Sequence, residues 1–113
     1  MSNTNSNLQI TYRHLPPSEA VSAKIQQKYL KLQQFCDRIM HCQVIVEAPH
    51  QNHQKGNLYT VKIILTLPQK ELVVGQDSSR DRSHENAYIA IRDAFDVAER
   101  QLKRYTELKL SSA

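Results

Sequence analysis

From Ser83 to Leu108 the chain reads SHENAYIAIRDAFDVAERQLKRYTEL, without a glycine or a proline. Ala87, Ile91, Ala94, Ala98, Leu102 and Tyr105 recur at steps of three and four, and Tyr88 and Phe95 widen that stripe. This is the period of an amphipathic helix, about 3.6 residues per turn. Ser83 is placed as its N-cap, and Glu85 adds a negative charge to the first turn, where the helix dipole favours it. At about 1.5 Å per residue the helix runs roughly 37 Å, long enough to lie across a small sheet. Its outer face carries Arg92, Arg100, Lys103, Arg104 and Lys109. The apolar stripe therefore constrains the fold, and the basic face is left for a partner.

The rest of the chain supplies the sheet. Leu8 to His14 alternates Leu8, Ile10 and Tyr12 against Gln9, Thr11 and Arg13, the pattern of a half-buried strand. Pro16-Pro17 ends it, and Pro17 or Ser18 opens a helix to Phe35 with an apolar stripe of Val21, Ile25, Tyr29, Leu32 and Phe35. Lys24, Lys28 and Lys31 form a second stripe, and Glu19 is the only acid in this helix. Ile39 to Glu47 reads as a strand stopped by Pro49, and His50 to Asn57 as a polar loop. Leu58 to Leu67 is a strongly β-branched strand. Pro68-Gln69-Lys70 turns the chain into a fourth strand, Glu71 to Gln76, and the short connection makes these two antiparallel. Asp77 to Arg82 is a charged loop before the long helix.

The order is β-α-β-β-β-α. The predicted fold is α+β, a four-stranded, antiparallel-rich sheet with both helices packed on one face, similar to a double-stranded-RNA-binding domain. The 113 residues fit one domain, residues 8–109, after a disordered leader at 1–7 and before a short tail at 110–113. No segment approaches the roughly 18 consecutive apolar residues of a membrane span, and no signal peptide opens the chain, so the expected location is the cytoplasm. There, Cys36 and Cys42 are expected as free thiols near the core.

The residues offer little catalytic chemistry. Gly56 and Gly75 are the only glycines, which excludes a Gly-rich phosphate loop. Cys42, His50 and His53, with His41 nearby, form the most tempting metal cluster. Their spacing matches no zinc finger, and the reading is a solvated polar loop with no metal. Asp93 and Asp96, or Glu85 and Glu99, lie on one helix where salt-bridge partners explain them better than acid–base work. The chain is read as a non-enzyme with no cofactor and no small-molecule substrate.

The basic residues remain. Fifteen Lys and Arg against eleven Asp and Glu leave a net charge of +4, which leans toward a polyanionic partner. If the helices lie side by side, Lys24, Lys28 and Lys31 merge with Arg92, Arg100, Lys103 and Arg104 into a groove that tracks a phosphate backbone. Arg80 and Arg82 in the preceding loop add to it, whereas Asp93, Asp96 and Glu99 interrupt it. A solvated face of ordinary i,i+4 pairs is the competing explanation. Tyr12, Tyr29, Tyr88 and Tyr105 sit mostly at stripe positions and are read as core packing rather than base stacking.

Three segments, KYLKLQQFCDRI (Lys28 to Ile39), EAPHQNHQKGNLYTVKIILTLP (Glu47 to Pro68) and HENAYIAIRDAFDVAERQLKRY (His84 to Tyr105), resemble the ribosome hibernation-promoting factor family. That family also includes ribosome-associated inhibitor and sigma-factor modulation proteins. The resemblance runs from about Leu8 to Lys109, in the same element order. It implies a cytosolic protein that binds the small ribosomal subunit through ribosomal RNA in stationary phase or stress. Basic side chains on the two helices would occupy the mRNA and tRNA path and block translation, without catalysis or cofactor. Lys28 and Lys31 match the basic residues of the family's first helix, and Arg100, Lys103 and Arg104 those of its R-Q-L-x-(K/R) segment. Lys24 and Arg92 rest on helix geometry, and Arg82 on its place in the loop.

Two departures stand out. Asn86 replaces a frequent Asp, and Arg92 stands near an acidic position of the family. Long members also carry a C-terminal domain that dimerises ribosomes; the chain stops at Ala113, so direct dimerisation by it is not expected. Two other readings stay open: a protein-interaction module that modulates a transcription factor, and a free binder of double-stranded RNA. Salt-insensitive partner binding would favour the first of these, and duplex affinity without ribosomes the second.

Overall fold

The computed structural model describes residues 7–48, 59–75 and 87–111, with side chains as far as Glu107. Ser83, Glu85, Arg80, Arg82, His50 and His53 lie outside the described residues, as does the leader except for Asn7. The elements are β1 (Leu8–Arg13), α1 (Glu19–Phe35), β2 (His41–Glu47), β3 (Thr60–Leu67), β4 (Lys70–Val74) and α2 (Ala87–Ser111). The β-α-β-β-β-α order of an α+β fold is as expected, with strand ends shifted by a residue or two. Among the described residues no helix is long and apolar enough to cross a membrane.

Strand order in the sheet follows the chain, β1-β2-β3-β4. β2, β3 and β4 are antiparallel neighbours, whereas β1 runs parallel to β2, with Leu8 opposite Cys42 and Tyr12 opposite Val46. A parallel pair needs a long crossover, and α1 provides it. The ladder begins one residue early, because the Cys42 N–H donates to the Asn7 carbonyl at 2.8 Å.

Side-chain alternation decides which sheet face is covered. On β3, Val61, Ile63, Leu65 and Leu67 are buried while Thr60, Lys62, Ile64 and Thr66 are only half-buried. Cys42, Val44 and Val46 of β2 join the covered side, with Val74 of β4. Against it lie Val21, Ile25, Tyr29 and Leu32 of α1 and Ala90, Ile91, Ala94, Phe95, Ala98, Leu102 and Tyr105 of α2. All belong to one continuous core, so both helices share one face of the sheet. Phe35 departs from the expectation: at the last turn of α1 it is 36% exposed rather than buried. Its place on the wheel is the lysine stripe, not the stripe of Ile25 and Leu32.

Local chemistry sets the ends. Ser18 caps α1, its Oγ accepting from the Val21 N–H at 3.2 Å. The Tyr12 hydroxyl donates to the Ser18 carbonyl at 3.0 Å and lies 2.7 Å from the Ser22 Oγ, tying β1 to the first turn of α1. Between β3 and β4 only Pro68 and Gln69 turn the chain, since Leu67 pairs with Lys70. Gln69 has φ 62 there. Gly75 after β4 has φ +85, and a Cβ on it would come within 2.4 Å of the Val61 carbonyl oxygen. Cys36 and Cys42 are both buried free thiols.

Candidate nucleic-acid interface

On α1 the core stripe faces the sheet, and Lys24, Lys28, Lys31 and Phe35 repeat at steps of four, three and four along one flank. An α-helix advances about 100° per residue, so these four make one row roughly a quarter-turn from the buried one. That flank meets α2. Lys24 and Lys28 line a cleft of about 200 Å³ together with Tyr88, Ile89 and Arg92 of α2. At the other end of α1, the Lys103 Nζ stands 5.8 Å from the centre of the Phe35 ring, within cation–π range. Early residues of α1 meet early residues of α2 and late meet late, so the two helices run side by side in the same direction.

The expected basic residues divide into groups. Lys24, Lys28 and Arg92 share the cleft. Lys31, Arg100, Lys103 and Arg104 are exposed, and of these Lys103 reaches over α1. Arg104 sits about 100° further round α2 than Lys103, turned away from Phe35 and toward the far flank. Arg82 lies outside the described residues. Glu99, half-buried, falls in the same row of α2 as Arg92 and Lys103 and interrupts it.

Few of these charges are neutralised nearby. Arg92 lies 3.4 Å from the Asp93 carboxylate, with both side chains well exposed. A pair in that setting is screened and contributes little, typically under about 1 kcal/mol. Among the described residues no carboxylate stands within ion-pair distance of Lys24, Lys28 or Lys31, as the lack of acids in α1 beyond Glu19 leads one to expect.

Tyr88, like Phe35, lies elsewhere than its place in the apolar stripe implies. Read as a widening of the core stripe, it is 43% exposed and sits at the wall of the cleft, one helical turn before Arg92. Tyr29 and Tyr105 are buried as expected, and Tyr12 is half-buried. The spacing alone could not show this: Tyr88 lies about 100° round the wheel from Ala87, at the edge of the apolar stripe, and only the position of α1 decides whether an edge residue is covered.

The metal reading also meets the geometry. His41 and Cys42 are consecutive on β2, so their side chains point to opposite faces of the sheet. Cys42 is fully buried against the helices, and the two cannot ligate one ion. Among the described residues no three His, Cys, Asp or Glu side chains could hold a metal ion.

The model of the family described as "Sigma 54 modulation protein / S30EA ribosomal protein" matches residues 8–109. No curated protein matches the chain in sequence. Among solved structures, a ribosomal subunit interface protein from Coxiella burnetii superposes with a TM-score of 0.71 at 18% identity, covering 88% of this chain and 97% of that one. The N-terminal domain of Protein Y from Thermus thermophilus superposes with a TM-score of 0.64 at 21% identity, covering 86% of this chain and 94% of that one. At those identities the two structures establish a shared fold.

Proposed function

The chain belongs to the Sigma 54 modulation protein / S30EA ribosomal protein family, and from that premise we propose that it is a ribosome hibernation factor. In this reading it binds the small ribosomal subunit in the cytoplasm through ribosomal RNA and occludes the mRNA and tRNA path in stationary phase or stress. It does so as a non-enzyme, by charge and shape and without a cofactor. The observation that carries the reading is the joining of Lys24 and Lys28 of α1 with Arg92 of α2 around one cleft. Separate helices contribute cations to one surface, which suits a polyanion that passes across both. Contacts to phosphate would hold the protein in register without reading sequence. The name of the Coxiella relative, a ribosomal subunit interface protein, agrees with it.

The test is co-sedimentation with purified small subunits over a salt series. The native chain is expected to pellet with subunits at low salt and to be released steeply as salt rises. Changing Lys28, Lys31, Arg100 and Lys103 together to Glu should abolish binding while thermal unfolding stays cooperative. A variant that still binds would refute the assignment of this face. The "Sigma 54 modulation" half of the family description supports a second reading, a protein-interaction module acting on a transcription factor. Salt-insensitive capture of a protein partner, with no ribosome binding, would favour it.

A further inference from the structure

The α1/α2 cleft has more than charge. Its floor and walls combine three cations, Lys24, Lys28 and Arg92, with two apolar side chains, Tyr88 and Ile89. A surface that only neutralised a phosphate track would need no aromatic wall, yet Tyr88, 43% exposed, lines the cleft beside the cations. Lys24 and Lys28 are one turn apart on α1, and Tyr88 and Arg92 one turn apart on α2, so each helix offers a pair at i,i+4. Cleft volume limits the occupant. At about 200 Å³ it falls below the roughly 300–1,000 Å³ of pockets that enclose free small molecules. It suits one unit of a polymer, held by its neighbours along the strand. Asp93 beside Arg92 disfavours a second phosphate at that end and favours a single one shared among the three cations.

We infer that this cleft takes one unpaired nucleotide of an RNA strand, its phosphate among Lys24, Lys28 and Arg92 and its base stacked on Tyr88. The inference rests on the RNA-binding reading of this face and makes it specific. Duplex RNA keeps its bases inside the helix, whereas single-stranded positions can offer a base face to an aromatic ring, with little dependence on base identity. Tyr88 is thus a binding residue and the lysines are positioning charges for the phosphate.

The experiment measures fluorescence anisotropy of an end-labelled, eight-nucleotide single-stranded RNA, alongside the same backbone made abasic and a duplex of equal length. Stacking of one base is worth about 1–3 kcal/mol, or about 5- to 150-fold in affinity. The base-bearing strand should therefore bind the full chain at least about 5-fold more tightly than the abasic one. Tyr88→Leu should erase that ratio, Tyr88→Phe should keep it, and Lys24→Ala with Lys28→Ala should weaken both strands alike. Equal affinity for base-bearing and abasic strands would overturn the inference, as would a ratio that survives Tyr88→Leu, a duplex that binds as well as the single strand, or no binding of the single strand at low salt. Adenosine monophosphate competing as well as the oligomer would overturn the polymer requirement. Co-sedimentation with small subunits, run beside these, separates the two ideas. Subunit binding without base dependence removes only the stacked nucleotide, while loss of subunit binding removes the wider function.

Discussion

Cys42 and Tyr29 both belong to the core and are fully buried. Burial pushes the Cys42 thiol up to about 12. It also pushes the Tyr29 phenol up to about 12, with the neighbouring Cys42 adding to the effect and Asn7 and Gln33 opposing it. Raised values mean that the folded chain holds these protons while the unfolded chain releases them. The stability they support is complete below pH 9 and declines as pH rises from about 9 toward 12. The slope is about 1.4 kcal/mol per pH unit for each proton that only the unfolded chain has lost. Urea midpoints measured from pH 8 to 11 should fall accordingly, and Cys42→Ala, though less stable at every pH, should fall less steeply between pH 9 and 10. An identical slope in that variant would disprove the linkage. At this scale the sequence was legible where a stripe continued, as at Tyr29, and illegible at Tyr88, where the wheel's edge is covered or open depending on a distant helix.

Elements depend on a few hinge positions. Gly75 closes β4 with φ +85 against the Val61 carbonyl, where any Cβ would intrude at 2.4 Å. Left-handed backbone alone costs a non-glycine residue roughly 1–2 kcal/mol, and the contact adds to it because backbone, not a flexible side-chain end, stands in the way. Gly75→Ala should therefore lower unfolding stability by at least about 2 kcal/mol, measured as a shift in urea midpoint, without changing subunit affinity at temperatures where it stays folded. A shift under about half that would show that β3 yields. The sequence announced each strand and helix through its period, because a period depends on nearest neighbours along the chain. It did not announce the parallel pairing of β1 with β2, which depends on where α1 carries the chain before β2 begins.

Across the whole molecule, α1 and α2 act as one basic surface because their flanks meet. Binding through such a surface should follow counterion release, with each phosphate contact contributing about 0.7–0.9 to the slope of log affinity against log salt. Changing Lys24, Lys28 and Lys31 together to Gln affects at most two phosphates, the one shared at the cleft and one at Lys31, and should therefore reduce the magnitude of that slope for small subunits by roughly 1–2, leaving the α2 contribution in place. A slope unchanged by that substitution would assign the contacts to α2 alone. Glu99 in the α2 row and the turned-away Arg104 explain why a count of basic residues overstates the surface: α2 commits its Arg92 and Lys103 flank to the joint face.

The sequence by itself determined the α+β order, the core stripes of Ile25 to Leu32 and of Ile91 to Tyr105, the buried thiols, and the family through residues 8–109. These are local or additive properties: hydrophobic period, turn chemistry and motif. Tertiary structure alone decided that Lys24 and Lys28 stand with Arg92, that Lys103 crosses to Phe35, and that Tyr88 faces a cleft instead of the core. Those juxtapositions depend on how two helices, joined through three strands, settle on one sheet face. That choice is made by the packing of the shared core, and no stretch of the chain read alone contains it.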